Sequence, residues 1–242
     1  MGKKDKIFGR AYWLIWGAAL LLIVGSVAFN QNATAADPKV EARQLTEKAT
    51  MTFETFQAAK EMDDYRALLK KAKGIFICPQ MLRGAFVVGV SGGSGLLVAR
   101  DSKTGKWNGP AFYTMGGASF GLQAGGDVAQ VVLLIMTDRG VSSLLASSVK
   151  LGADASIAAG PVGGGVKAET VNLSADILSF TQTKGLYGGL SVEGAVVETR
   201  DKWNSAYYGK KILPRDIIVR GDAKNPQAEK LLKMITEASS TK

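Results

Sequence analysis

The chain has 242 residues, with 30 Lys+Arg against 21 Asp+Glu for a formal charge of +9, 29 glycines, one cysteine and no histidine. Hydrophobic residues make up 46%, enough for a core and too many for a disordered chain. The missing histidine excludes His-based general bases, Ser-His-Asp and Cys-His nucleophiles and most catalytic zinc sites, and the single cysteine excludes intrachain disulfides and CxxC motifs.

The first block reads as an address. Lys3, Lys4, Lys6 and Arg10 precede an uncharged stretch from Ala11 to Ala36 that ends in Ala33-Thr-Ala35-Ala36. A basic start, an apolar centre and small exit residues describe a secretory signal peptide over residues 1–36, cleaved after Ala35 or Ala36. The apolar span Ala11–Phe29 is 19 residues long, close to the roughly 20 that cross a bilayer, so an uncleaved inner-membrane anchor is the competing reading. No Cys follows the span, which excludes a bacterial lipoprotein anchor. Either way residues 37–242 are expected as a single domain outside the cytoplasm, periplasmic or secreted.

The charge is uneven. Residues 1–36 carry +3, residues 37–73 carry +1, residues 74–199 are neutral, and residues 200–242 carry +5. A uniformly basic nucleic-acid binder would not look like this.

Residues 40–73 contain neither Gly nor Pro and read as helical. Leu45, Ala49, Phe53 and Phe56 share one face at 100° per residue, while Met62, Tyr65 and Leu69 share another about 160° away. Two helices, or one bent near Ala58–Glu61, satisfy both faces. In the second piece Arg66, Lys70 and Lys73 flank the Tyr65/Leu69 stripe. That is the pattern of an interfacial helix, and equally that of a surface helix docked on a core.

From Gly74 the texture changes. Ile75–Cys78 is a β-prone run closed by Pro79, followed by Ala85–Val88, Leu96–Val98, Ala111–Met115 and Val131–Met136, with twelve glycines between Gly84 and Gly126. Val141–Val149 reads as a helix. Strands follow at Ala155–Ala159, Ile177–Thr183, Leu190–Val192 and Ala195–Thr199, then short helices at Asp201–Tyr208 and Ala228–Ile235. The expected class is α+β: a Gly-rich, mainly antiparallel core (bent sheet, sandwich or barrel-like) with an N-terminal helical segment and a few packing helices. Residues 84–108 and 185–204 echo one another from Gly through an apolar pair to Arg-Asp and Lys-Trp-Asn. Duplication or independent turn demands both explain this, and both segments are expected to form hairpins.

Gly89-Val-Ser-Gly-Gly-Ser-Gly95 lacks the Lys-Ser/Thr of a phosphate loop and runs straight into Leu96-Leu-Val, so turn glycines explain it better. Gly160-Pro-Val-Gly-Gly-Gly165 reads as a flexible loop. Asp101, Asp127, Asp138, Asp154 and Asp176 show no spacing that selects a catalytic pair. Cys78 reads as a small buried hydrophobe. No catalytic residue, metal ligand or cofactor is expected.

Seven ordered motifs carry a resemblance: Ala72–Pro79, Gly84-Ala-Phe with Gly89–Gly95, Gly105–Phe112, Gly116–Gly125, Leu151–Pro161, Lys184–Gly194 and Asn204–Gly209. Together they resemble the SYLF domain family over roughly residues 40–222. The resemblance implies a binding module without catalysis. Eukaryotic members bind phosphoinositides through a region that includes the N-terminal amphipathic helix, and some bind actin. Bacterial members are typically exported. It makes Arg66, Lys70, Lys71 and Lys73 the expected contacts to anionic headgroups, and Leu68 and Leu69 the expected inserting residues. The expected partner is an anionic phospholipid surface and not nucleic acid. Actin enters only by family analogy, because an exported bacterial chain would not meet it. A structural or envelope-interaction protein that recognises a protein or glycan is the alternative.

Overall fold

The computed structural model describes residues 36–85, 88–120, 125–162, 174–188 and 192–240. The span 11–29, the proposed cleavage site at Ala35, the strand expected at 190–192 and the glycines 163–165 lie at least partly outside these residues. No helix among the described residues is long and apolar enough to cross a membrane.

The first helix, α1 (Pro38–Ala58), starts where a helix should: Asp37 caps it by accepting from the Lys39 N–H, and Pro38 occupies the first turn. It stops at Ala59, which is extended, and after a short turn at Lys60–Met62 the chain resumes as α2 (Asp63–Leu69). The break falls where the two apolar stripes demanded it. Leu45, Ala49, Phe53 and Phe56 are buried on α1, and Tyr65, Leu68 and Leu69 on α2.

Four long strands follow: β1 (Gly74–Ala85), β2 (Val88–Arg100), β3 (Trp107–Phe120) and β4 (Gly125–Ile135). After them come α3 (Asp138–Leu144), β5 (Ser148–Lys150), β6 (Ile157–Ala159), β7 (Ile177–Thr183), β8 (Leu186–Gly188), β9 (Val196–Thr199), α4 (Asp201–Tyr208) and α5 (Glu229–Ser240). The sheet order is β5-β9-β3-β2-β1-β4-β7-β6, with β8 also on β7. Every pairing is antiparallel except β6 with β7. This curled sheet forms a half-barrel.

β1 is a central strand containing a proline, which has no N–H to give its neighbours. It resolves this with a bulge. Ile77 faces Leu96 but Gln80 faces Ser94, and Cys78 faces Val131 but Met81 faces Ala129, so β1 holds one extra residue against both partners. The extra residue reverses which side chains point to which face. Below the bulge Ile75 and Ile77 join Leu96, Val98, Phe112, Val132, Leu134 and Phe180 in a core shared with α1, α2, α4 and α5. Phe76, Cys78 and Met81 join the opposite core with Tyr113, Met115, Leu133 and Ile217.

α4 seals the edge of β3 with a side chain. Asn204, fully buried, accepts from the Phe112 N–H at 2.8 Å and donates to the Phe112 carbonyl at 3.3 Å, so its amide stands in for a neighbouring strand. The Phe112 ring packs edge-on against Trp203 and Tyr207.

Three expectations need correction. Val149 is on β5, because α3 ends at Leu144 and a short turn through Leu145, Ala146 and Ser147 follows before the chain turns extended at Ser148. The run Gly89–Gly95 is not a turn but the middle of β2, paired on both sides. A Cβ at Gly93 would collide with the Gln80 carbonyl and Cys78 Sγ at the bulge, and one at Gly95 with the Phe76 ring. Segment 185–204 is not a hairpin, since β8 pairs with β7 whereas β9 pairs with β3 and β5. What the two echoes share is an arginine stacked on a tryptophan: Arg100 on Trp107 at 5.0 Å and Arg200 on Trp203 at 3.5 Å.

Candidate functional site

The α2–β1 junction separates the residues that the resemblance grouped. Leu68 is 1% exposed and Leu69 0%. Both sit in the core against the sheet, so neither can insert into a bilayer while α2 stays docked. Their place on the buried stripe of a short helix overrides the interfacial pattern. Arg66 is spent on structure: one nitrogen donates to the Gln57 and Ala59 carbonyls at 2.8 and 2.7 Å, and another pairs with Asp63. It splints the break between α1 and α2, satisfying carbonyls left open where α1 ends.

The lysines are different. Lys70, Lys71 and Lys73 are all exposed, and among the described residues none forms an ion pair. They lie where α2 ends and β1 begins. The Lys73 N–H donates to the Ile135 carbonyl, and its own carbonyl accepts from the Arg100 N–H, each at 2.7 Å. Those bonds bring the β2–β3 turn alongside. Asp101 builds that turn by accepting from the Lys103 N–H at 3.0 Å and the Thr104 N–H and hydroxyl at 2.6 and 2.8 Å, and these bonds hold its carboxyl below the usual range. Gly105 supplies the left-handed residue, with φ +70°. The turn presents Lys103 and Lys106, both exposed, with the Asp101 N–H bonded to the Lys106 carbonyl. Lys103 and Lys106 were not legible from sequence as site residues. They lie some thirty positions from Lys73, and only strand pairing brings them to the same end of the sheet.

The other basic region is partly tied up, although Lys202, Lys211, Arg215 and Lys224 are exposed and, among the described residues, form no ion pair. In residues 200–242, Arg220 pairs with Asp216, Lys230 with Glu54 and Lys233 with Glu237, while the Lys210 ammonium donates to the Asp222 carbonyl.

Among the described residues, Asp127, Asp154 and Asp176 are each engaged by other partners. Asp127 receives two bonds from Arg83, both at 2.7 Å. Asp176, 2% exposed, is bound by Arg139, the Thr137 hydroxyl and the Ser156 N–H and hydroxyl. Arg139 above all holds its carboxyl well below the ordinary range, against the opposing effect of burial. Asp154 accepts from the Lys150 N–H. Among the described residues no group of three Asp, Glu, His or Cys side chains is placed to hold a metal. Cys78 is buried and its thiol is pushed up to about 12 by desolvation, which suppresses the thiolate.

A curled, mainly antiparallel sheet backed by helices, with lysines gathered at one end, defines an α+β half-barrel domain. The chain belongs to the family described as "Ysc84: Las17-binding protein actin regulator", which matches residues 116–238; the resemblance to SYLF domains is thereby shown. It is 31% identical over 171 residues to human SH3 domain-containing YSC84-like protein 1, covering 69% of this chain and 49% of that protein. It is 32% identical over 176 residues to protein YSC84 of Saccharomyces cerevisiae, covering 71% and 37%. It is also 32% identical over 165 residues to LAS seventeen-binding protein 3 of the same species, covering 66% and 35%. The chain thus spans half or less of the curated relatives it matches. The family description names an actin regulator and the last of these relatives a binding protein, and none of these names denotes an enzyme.

Proposed function

We propose that this chain is an exported binding module that docks on anionic membrane surfaces, with Lys70, Lys71 and Lys73 as headgroup contacts and Lys103 and Lys106 beside them. The observation that carries this reading is the exposed, ion-pair-free state of these five lysines at one end of the sheet. Each lysine near an anionic surface contributes about 1 kcal/mol, and salt screens the attraction. With Leu68 and Leu69 in the core, binding at this end is electrostatic and reversible. Export rests on the basic and apolar N-terminal pattern, and amino-terminal sequencing of the mature protein tests it: a start at Ala36 or Asp37 supports it, and a retained Met1 overturns cleavage.

The test of docking is co-sedimentation of the full chain with vesicles of neutral lipid alone or with an added acidic lipid. Binding should need the acidic lipid, fall with salt, and drop at least about a hundredfold in the Lys70→Glu/Lys71→Glu/Lys73→Glu chain, given about 1 kcal/mol per lysine. Binding indifferent to salt and acidic lipid would overturn the reading.

The family's description as a Las17-binding actin regulator favours a second reading, in which the same lysines meet an acidic protein surface. Filamentous actin serves as the probe. Salt-sensitive co-sedimentation with actin, lost in the triple charge reversal while vesicles fail to bind, would favour it.

A further inference from the structure

Above the Pro79 bulge, the helix-side face of the sheet is bare. Leu82, Val90 and Val128 are exposed at 63%, 64% and 48%. Leu82 pairs with Val128 on one side and Gly92 on the other, and Gly84 pairs with Val90 and Gly126. Three aliphatic side chains therefore stand around a floor of glycine backbone. A Cβ at Gly84 or Gly92 would meet nothing within 4 Å, and neither residue has a positive φ. The fold itself does not require glycine at either position, and each costs the strand about 0.5–1 kcal/mol relative to a residue with a side chain. Besides bulges and tight bends, glycine in a strand marks sites where a ligand or another backbone approaches closely.

This shelf opens into a groove of about 450 Å³ between α1, the bulge and α4, lined by Glu41, Gln44, Lys48, Gln80, Ser94 and Trp203 as well as by Leu82 and Gly92 of the shelf itself. Arg200 stands beside it. Its guanidinium lies 3.5 Å over the Trp203 ring and donates to Ser94 Oγ at 2.6 Å. Among the described residues no carboxylate comes within ion-pair distance of Arg200. Burial lowers its pKa, with Glu41 acting in the opposite direction. The Lys48 ammonium, on the α1 wall, holds only a neutral partner, Gln80 Oε1, at 3.1 Å. One end of the surface thus offers two cations against the single carboxylate of Glu41, and the other end offers glycine and aliphatic carbon. From Ser94 to Val90 the strand advances about 13 Å, room for a short linear chain lying along it.

We propose that this surface holds a single-chain anionic amphiphile, its phosphate or carboxylate head between Arg200 and Lys48 and its tail on the shelf of Gly92, Leu82, Val128 and Val90. It is distinct from the lysine end, which sits below the bulge at the start of β1. The two sites therefore fail independently.

The test is calorimetric titration of the full chain with dodecyl phosphate below its micelle-forming concentration, with dodecanoate, dodecanol and inorganic phosphate as parallel probes. Dodecyl phosphate and dodecanoate should each saturate one site, and dodecanol and inorganic phosphate should bind about tenfold or more weakly, since each lacks one half of the recognition. Arg200→Gln should weaken dodecyl phosphate about tenfold, and Arg200→Lys should restore part of the loss. Gly92→Val should fold with an unchanged or raised thermal midpoint and still bind dodecyl phosphate about tenfold more weakly, because the new side chain fills the shelf and not the core. Dodecanol binding as tightly as dodecyl phosphate would remove the head site, and equal binding of inorganic phosphate would remove the shelf. No saturable binding, or unaltered binding by folded Gly92→Val protein, would overturn the proposal outright. Anionic vesicles scored in parallel report separately on the lysine end.

Discussion

Below the Pro79 bulge β1 carries Ile75, Phe76, Ile77 and Cys78, all at 0% exposure, whereas three residues above it Leu82 is 63% exposed. The same contrast runs through the neighbouring strands. Leu96 to Val98 are buried but Val90 is open on β2, and Val131 to Ile135 are buried but Val128 is half open on β4. The glycines follow suit. At Gly95 and Gly93, close to the bulge, a side chain would strike the Phe76 ring or the β1 backbone, while at Gly92 and Gly84 it would meet open space. One continuous set of strands therefore contains a lower half whose residues are fixed by packing on both faces and, above it, a helix-side face whose composition the packing does not explain, although Met81 on the other face is buried. A glycine-rich sequence is thus two things: steric necessity around the bulge, and an exposed platform above it.

Truncating matched side chains across the bulge separates the two halves by the largest margin. Phe76→Ala should cost about 3–5 kcal/mol, the range for an aromatic removed from a full core, whereas Leu82→Ala should stay within about 0.5 kcal/mol. Denaturant midpoints at constant slope measure both. Equal losses would mean that the upper face is covered in the folded protein. Gly95→Ala asks the steric question directly and should cost about 1–3 kcal/mol by overpacking against Phe76. Combining it with Phe76→Leu should recover part of that loss, because the two residues touch and their effects do not add.

The Asp176 cluster sharpens the lower half through pH. Asp176 ties the start of β7 to α3 through Arg139, Thr137 and Ser156. Its carboxyl titrates well below the ordinary range in the folded chain, so the unfolded chain takes up its proton first as the pH falls. The stabilisation is complete above about pH 5 and drains away as the pH falls through the unfolded value of about 3.9 toward the lower folded one. Asp176→Asn should cost about 2 kcal/mol at neutral pH. Its deficit should narrow on acidification, and thermal midpoints across pH 3–7 read both effects. A deficit constant over that range would mean the charge on Asp176 does not contribute.

Where periodicity alone decides an element, the sequence was a sufficient guide. The two apolar stripes of residues 40–73 put the break near Ala58–Glu61, where Ala59 is extended, and Ile177–Thr183 and Asp201–Tyr208 match their segments because each is bounded by strong signals. The chain could not announce features made by strand pairing. Gly89–Gly95 resembles a loop because local sequence records glycine's freedom but not the Phe76 ring that demands it. Leu68 and Leu69 resemble an inserting stripe because a helix face reads the same against a core or a membrane. Lys103 and Lys106 join Lys73 only through the Arg100–Lys73 backbone bond.

The smallest expected effect bears most directly on the upper half. Gly84→Val and Gly92→Val place β-branched side chains on strand positions with open space around the Cβ. A β-branched residue there restricts the unfolded chain and fits the pleated surface. Each should raise stability by about 0.5–1 kcal/mol, the reverse of the cost of glycine in a strand. Gly84→Val should gain a further contact with Val90, its cross-strand partner in the β1–β2 pair. A gain at both positions, beside a loss at Gly95, would show that stability within the fold does not account for glycine above the bulge. Those residues are then accounted for by what approaches the sheet from outside. A loss of similar size at all three positions would erase the distinction between the halves and leave the exposed platform without a role.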